Sequence, residues 1–170
     1  CLSPDDLKLM QQAGFYRVGI GIESFYDPTL KAMQKNQTAK QIFDAIKATQ
    51  TVKMHIASAQ LLFGYETDGW ESMQANVDAL TKLGLFDANF AIPCPYPGTR
   101  LYDLAVERGL ITDEEGWLLE LADKDISSRV INLSGKSDAE LRRIIQWAYD
   151  KLRVNGVRVS HPYLASVLDY

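Results

Sequence analysis

The sequence is poor in the residues that bind metals or form disulfides. It contains two cysteines, Cys1 and Cys94, and two histidines in 170 residues. The cysteines lack CxxC spacing, and no second thiol or imidazole is spaced to assist Cys94, which excludes a disulfide framework and a local metal-binding motif. We therefore expect a structural role for Cys94 and a reducing, cytoplasmic location.

Long apolar runs and an excess of positive charge are also missing. No stretch approaches the roughly 18 apolar residues of a membrane span. The net charge is −4, which disfavours a nucleic-acid-binding surface. Hydrophobic residues make up 46% of the chain and charged residues 24%, a composition typical of globular proteins. We therefore expect a globular chain without a membrane or nucleic-acid partner.

The apolar pattern alternates between strand-like and helical periods, which predicts an α/β fold. Three segments have the pattern of buried strands, at residues 16–22, 53–63 and 86–93. Each leads into a helix, and this order predicts a parallel sheet with right-handed crossovers. The predicted helices before residue 111 cover residues 3–13, 27–35, 38–49, 67–83 and 100–108. Two further helices begin near Thr112 and Ser137, and a β-like tail at 154–170 stays unassigned.

The end of the first predicted strand carries a carboxylate. In parallel α/β folds, ligands bind beyond the carboxyl ends of the strands. Glu23 stands at such an end, where an ionised carboxylate can accept hydrogen bonds from a ribose or an amine. The structural alternative is that Glu23 caps the turn at Asp27-Pro28 or pairs with a nearby lysine or arginine.

The other two strand ends offer a glycine and an aromatic ring. Gly64 would let a planar ligand approach the backbone, with Leu62 or Phe63 packed on one face of the ring. Equally, this segment is a plain strand-to-helix turn with Thr67 as the helix N-cap. Tyr96, in the proline-rich loop 95–99, offers a ring face or a hydroxyl, or else packs on the rim of the sheet.

Six segments follow one another along the chain. They are residues 7–14, RVGIGIES at 17–24, DPTLKAMQK at 27–35, the strand ending in Phe63-Gly64, PYPGTRLY at 95–102 and ERGLI at 107–111. Each segment is weak alone, but the ordered set, which spans roughly residues 7–117, resembles radical S-adenosylmethionine (SAM) enzymes, especially those found with a cobalamin-binding domain. RVGIGIES is similar to the R-x-x-x-G-I-E-S segment of that family.

The resemblance implies the last half of a partial (β/α)6 TIM-like barrel at residues 1–110 and a C-terminal helical extension at 111–170. It implies SAM and a [4Fe–4S] cluster as cofactors, and it leaves the use of cobalamin open. The cluster loop, CxxxCxxC, does not occur in this sequence. Since the sequence begins within a helix pattern and without Met, we expect a fragment whose missing N-terminal half holds the cluster. The fragment alone is then expected to be inactive.

The resemblance also implies cofactor-binding residues, but no catalytic residue or metal ligand. Glu23 and Ser24 match the strand end that meets the ribose or methionine part of SAM. The adenine-lining positions are matched by Leu62, Phe63 and Gly64 on one strand and by Tyr96 and Gly98 beside the next. Two departures occur: the usual G-L-P-G-E-T is shortened to GYET at 64–67, and a glycine-rich strand start is replaced by ASAQ at 57–60.

The leading functional hypothesis is therefore a fragment of a radical SAM, oxidoreductase-like enzyme that supplies SAM- and substrate-binding walls. A catalytically silent α/β barrel scaffold for partner binding is the alternative. Another parallel α/β enzyme with a phosphate site is a third, but no glycine-rich phosphate loop precedes a helix. Expected partners are a small-molecule substrate, the missing half of the same protein and a second copy at the open barrel edge.

Overall fold

The computed structural model describes residues 3–85, 87–123 and 130–159. Seven helices and four strands occur within these residues. In chain order they are α1 (Pro4–Gln12), β1 (Arg17–Glu23), α2 (Asp27–Ala32), α3 (Ala39–Thr51), β2 (His55–Leu62), α4 (Trp70–Leu83), β3 (Asp87–Ala91), α5 (Arg100–Glu107), α6 (Glu114–Asp123), α7 (Asp138–Val154) and β4 (Arg158–Val159). The predicted strand start at Phe86 and the predicted tail beyond residue 159 lie outside the described residues.

Local capping signals explain where several helices begin. The Ser3 hydroxyl accepts a hydrogen bond from the Asp6 amide, and the Asp6 carboxylate accepts one from the Ser3 amide, which completes a capping box. Thr38 and Gln41 form the same reciprocal pair at α3. These two predicted helix starts are confirmed. The prediction that α4 begins at Thr67 is wrong, because Thr67 lies in a turn that the Asp68 amide closes onto the Tyr65 carbonyl oxygen, and the helix begins at Trp70.

The four strands form one sheet in the order β1-β2-β3-β4, and every neighbouring pair is parallel. The predicted α/β class with a parallel sheet is confirmed. The short strand β4 comes from the tail that the pattern left unassigned, and Arg158 pairs with Asp87 of β3. Closure of this sheet into part of a barrel is not shown, so the (β/α)6 assignment and the division at residue 110 stay predictions.

One face of the sheet is buried under helices. Ile22, Leu61 and Phe90, from three different strands, have at most 1% of their surface exposed. They belong to one apolar cluster with residues of α3, α4 and α7, including Ile46, Leu80, Ile144 and Leu152. The helix pattern after Ser137 repeats apolar residues at Leu141, Ile144, Ile145, Ala148 and Leu152, which predicts one apolar face, and the burial of all five on α7 confirms it. Because burial of apolar surface drives folding, this layer fixes the sheet against the three helices.

The opposite face of the sheet is accessible and largely polar or side-chain-free. Gly19, Gly21 and Gln60 are exposed, and Asn89 is half-buried. Parallel sheets are normally covered on both faces by apolar residues. This face is thus the unusual one, and it adjoins the strand ends. In the described part of the chain, no helix has both the length and the apolar character needed to cross a bilayer.

Candidate functional site at the carboxyl edge of the sheet

The carboxyl ends of β1, β2 and β3 meet at one edge of the sheet because the strands are parallel. Glu23 pairs in register with Leu61, and Leu62 pairs with Ala91. The sequence-predicted residues therefore belong to neighbouring strand ends, separated by about 4.8 Å from one strand to the next. Their side chains nevertheless have different surroundings.

Glu23 lies on the accessible face in a backbone conformation that is unusual for its residue type. Its φ of 64° is in the left-handed region, directly after a register shift between Gly21 and Glu23. The carboxylate folds back over Gly21: a Cβ atom added to that glycine would lie 2.8 Å from Glu23 Oε1. The absence of a side chain at Gly21 therefore creates the space that the carboxylate occupies.

Lys35 holds this carboxylate in place. Its Nζ donates a hydrogen bond of 2.5 Å to the carbonyl oxygen of Gly21 and lies 3.3 Å from Glu23 Oε1. About a quarter of each side chain is exposed, 23% for Lys35 and 28% for Glu23. The ion pair that we considered as an alternative for Glu23 is therefore present. It leaves the carboxylate at the surface, where it can still accept hydrogen bonds.

Ser24 faces the interior. It is fully buried, and its hydroxyl accepts a hydrogen bond from the Tyr26 amide at 3.1 Å and lies 3.4 Å from Asn76 Oδ1. Asn76, on α4, also accepts a hydrogen bond of 2.6 Å from the Phe25 amide. Its Nδ2 has no hydrogen-bond partner among the described residues. Ser24 and Asn76 thus tie the loop after β1 to α4.

The three predicted adenine-lining residues at the end of β2 divide between the two sides of the sheet. Leu62 is half-buried on the accessible face, whereas Phe63 is fully buried in the core between sheet and helices. Gly64 is buried with φ at 128°, a conformation that favours glycine. Its carbonyl oxygen accepts a hydrogen bond of 2.7 Å from the Leu133 amide. The chain before α7 therefore covers this strand end.

Asp68 organises the turn after β2, and the sequence analysis missed it. Its carboxylate accepts hydrogen bonds from the amides of Gly64 and Tyr65, at 2.9 and 3.0 Å, and from the Thr29 hydroxyl at 2.8 Å. Asp68 is only 1% exposed. Burial raises the pKa of this carboxyl, and the hydrogen bonds that it accepts oppose the rise. The side chain joins the β2 strand end to α2, which follows β1.

Tyr65 is a second site residue that the sequence analysis missed. Burial raises the pKa of its phenol, and the negative charges of Glu23 and Asp68 raise it further. The hydroxyl therefore remains protonated at neutral pH and can donate a hydrogen bond. Its adjacency to Gly64, at a strand end, was the available signal.

Tyr96 and Gly98 lie in the loop after β3. Tyr96 is 42% exposed, and its carbonyl oxygen accepts a hydrogen bond of 2.6 Å from the Thr99 hydroxyl. Gly98 is exposed with φ at 80°. This loop follows β3, two strands away from β1, so strand spacing alone separates its start from Glu23 by about 10 Å. Among the described residues, no hydrogen bond or ion pair links Tyr96 or Gly98 with Glu23.

No metal centre occurs in the described part of the chain, where no group of three His, Cys, Asp or Glu side chains is arranged to hold an ion. Cys94 is a half-buried free thiol, and burial raises its pKa. The thiol therefore stays protonated at neutral pH.

Comparison with known proteins finds that the chain is similar to three methyltransferases. No family model matches the chain. The chain is 33% identical over 104 residues to an uncharacterized methyltransferase of Pyrococcus horikoshii, covering 61% of the chain and 22% of that protein. It is 32% identical over 114 residues to the bacteriochlorophyllide d C-8(2)-methyltransferase of Chlorobaculum tepidum, covering 66% and 25%. The C-12(1)-methyltransferase of the same organism is 25% identical over 105 residues, covering 62% and 23%.

The chain thus spans a quarter or less of the length of these relatives. Their names contradict the assignment to a radical SAM, oxidoreductase-like fragment, because they specify methyl transfer. The expected [4Fe–4S] cluster gains no support, and neither does cobalamin, whose use was left open, nor the catalytically silent scaffold. The physical reason for the error is that the motifs describe turns and polar groups at strand ends. Such features shape a site without defining its reaction.

Proposed function

We propose that this chain is part of a SAM-dependent methyltransferase and forms one wall of its SAM site. The observation that carries the proposal is the Glu23 carboxylate, held by Lys35 on the accessible face of a sheet whose relatives are methyltransferases. Bound SAM would supply the methyl group and leave as S-adenosylhomocysteine once an acceptor has taken it. In this proposal the methyl acceptor is a small molecule.

The residues at the carboxyl edge fit the nucleoside part of SAM. A ribose carries two vicinal hydroxyls, and Glu23 is an acceptor-only group that is fixed in place by Lys35. Burial raises the pKa of the Tyr65 phenol, at the neighbouring end of β2, so its hydroxyl keeps its proton at neutral pH and can donate. Leu62 presents apolar surface on the same face, where the flat purine can pack. These residues bind and orient the donor, and none of them takes part in the transfer itself.

The remaining predicted residues have supporting roles in this proposal. Ser24, Phe63 and Gly64 shape the strand ends from the interior, where Asp68 and Asn76 fix the turns. Tyr96 and Gly98 form the far side of the adenine site, on the loop after β3. Their exposure leaves them accessible to a ligand.

The sheet forms part of a larger barrel in this proposal. Residues 1–110 supply the last half of a partial (β/α)6 barrel, and residues 111–170 form its C-terminal extension. Two observations support this: the sheet is entirely parallel, and its accessible face is unlike a finished surface. A groove of about 450 Å³ runs beside β1, lined by Leu7, Met10, Val18, Ile20 and Ile42 among others. The other half of the same protein would cover this edge.

A second copy is the other occupant that the β1 edge could accept. Light scattering of the 170-residue chain, alone and with the remainder of the protein, separates the two. A dimer that persists in the full-length protein would place a second copy there. A dimer that disappears in the full-length protein would place the other half of the same chain at this edge.

Binding of S-adenosylhomocysteine by the full-length protein tests the function. We expect titration calorimetry to detect binding, and we expect Glu23→Gln to weaken it about tenfold through the loss of charge-assisted hydrogen bonds. Glu107→Gln, an equivalent change at an exposed position of α5, is the matched control and should bind like wild type. Absence of binding by the wild type, or equal affinity of both variants, would refute the proposal.

A further inference from the structure

Three residues form a row across the accessible face of the sheet. Gly21 pairs in register with Gln60, and Gln60 pairs with Asn89. Their chain neighbours Ala59, Leu61, Ala88 and Phe90 are at most 1% exposed, on the opposite face. Alternation along the strands therefore places the carboxamides of Gln60 and Asn89 side by side on the accessible face.

These two carboxamides are available to a ligand. In the stretch of chain that the structure describes, neither side chain makes a hydrogen bond. A barrel interior that is packed shut carries layers of branched apolar residues, such as valine, isoleucine and leucine. Glycine, glutamine and asparagine at the corresponding positions here leave room and unpaired polar groups instead. The row is therefore suited to binding rather than to packing.

The row adjoins the proposed nucleoside site on two sides. Glu23 places its carboxylate over Gly21, at one end of the row. Leu62 follows Gln60 by two residues on the same strand and face, a separation of about 7 Å. An apolar surface, a planar amide and a carboxylate thus lie together. This combination matches the parts of adenosine: a flat ring, a hydrogen-bonding edge and a diol.

We propose that the Gln60 carboxamide reads the N6/N7 edge of the adenine of SAM. An amide offers one donor and one acceptor in a single plane, and this edge offers the complementary acceptor N7 and the donor amino group N6. On one side of Gln60, Gly21 has no side chain and the Glu23 carboxylate occupies the space above it. On the other side stands Asn89, whose side chain is shorter than that of Gln60. The inference rests on the proposed function, because it assigns specificity within the same SAM site.

The test compares two probes, S-adenosyl-L-homocysteine and S-inosyl-L-homocysteine, by calorimetry on the full-length protein. The inosyl analogue carries an oxygen at position 6, so its edge presents two acceptors and one amide cannot satisfy both. We expect wild type to bind the adenosyl probe about tenfold more tightly than the inosyl probe. Gln60→Leu should lose about tenfold in affinity for the adenosyl probe and bind both probes equally.

Gln74→Leu is the matched control, since Gln74 is exposed on α4 and hydrogen bonds to Asp78 on that helix. It should keep both the affinity and the preference, and circular dichroism verifies that each variant is folded. Wild type that binds both probes equally overturns the Gln60 inference but leaves the proposed function intact. Loss of preference in Asn89→Leu rather than in Gln60→Leu also overturns it. Failure of wild type to bind either probe overturns both proposals.

Discussion

Replacing Asp68 by alanine should destabilise the chain by about 2–3 kcal/mol. The carboxylate accepts hydrogen bonds from the Gly64 and Tyr65 amides and from the Thr29 hydroxyl, and only 1% of Asp68 is exposed. An unsatisfied buried polar group costs about 1–3 kcal/mol. The alanine variant orphans two amides, while Thr29 keeps a hydroxyl partner in Thr67. The alanine variant no longer has to bury a carboxylate, and this gain offsets part of the destabilisation.

Urea unfolding followed by tryptophan fluorescence measures the change. The transition midpoint should fall while the slope with denaturant stays the same, because the folded and unfolded states keep their surface areas. Asp68→Asn is the control. Its amide oxygen can still accept from the two backbone amides, so we expect a loss of less than about 1 kcal/mol. A loss below about 0.5 kcal/mol for alanine, or equal losses for both variants, would refute the role given to these hydrogen bonds.

The raised pKa of Asp68 makes the difference in stability between wild type and Asp68→Asn depend on pH. Burial raises the folded-state pKa above its ordinary value of 3.8. The carboxyl's contribution to stability is therefore fully present below pH 3.8 and is lost as the pH rises through the folded pKa. Asparagine does not titrate, so its stability relative to wild type should increase between about pH 3 and pH 7. A constant difference across this range would show that the pKa is not raised.

Two further predictions concern Glu23. Gly21→Ala would place a Cβ atom 2.8 Å from Glu23 Oε1; we expect it to displace the carboxylate and weaken S-adenosylhomocysteine binding, whereas Gly19→Ala, with open space around its Cβ, should not. Equal binding by the two variants would contradict the carboxylate position. Tyr65 should titrate above pH 10 in absorbance at alkaline pH, and Glu23→Gln should lower its pKa because one nearby negative charge is removed. An unchanged pKa of Tyr65 in Glu23→Gln would show that the Glu23 charge does not act on the Tyr65 phenol.

Sequence alone predicts the features of this fold that depend on near neighbours. The capping boxes at Ser3 and Thr38 involve residues three positions apart, so their pattern is visible in the sequence. The apolar face of α7 follows from helical periodicity in the same way. Glu23 was predicted at a strand end, and the structure adds that Lys35 and Gly21 fix its carboxylate.

Features that depend on distant segments were missed. Asp68 was overlooked because Thr67, beside it, matched a helix N-cap, while its partner Thr29 lies 39 residues away. The strand β4 has two residues and forms only by pairing with Asp87 and Ala88 of β3. The accessible face of the sheet was also missed. Alternation of apolar and polar residues along a strand shows that the strand has two faces, but not what covers each of them.

The arrangement of Gly21, Glu23 and Lys35 bears on how this protein can be diversified. The three residues depend on one another. Gly21 has no side chain, the Glu23 carboxylate lies in the space that this leaves, and Lys35 binds both the carboxylate and the Gly21 carbonyl oxygen. Single substitutions at these positions should therefore impair binding of SAM even where a combined substitution would preserve it. A mutant library that randomises residues 21, 23 and 35 together is therefore the one in which a preference for a different methyl donor can arise.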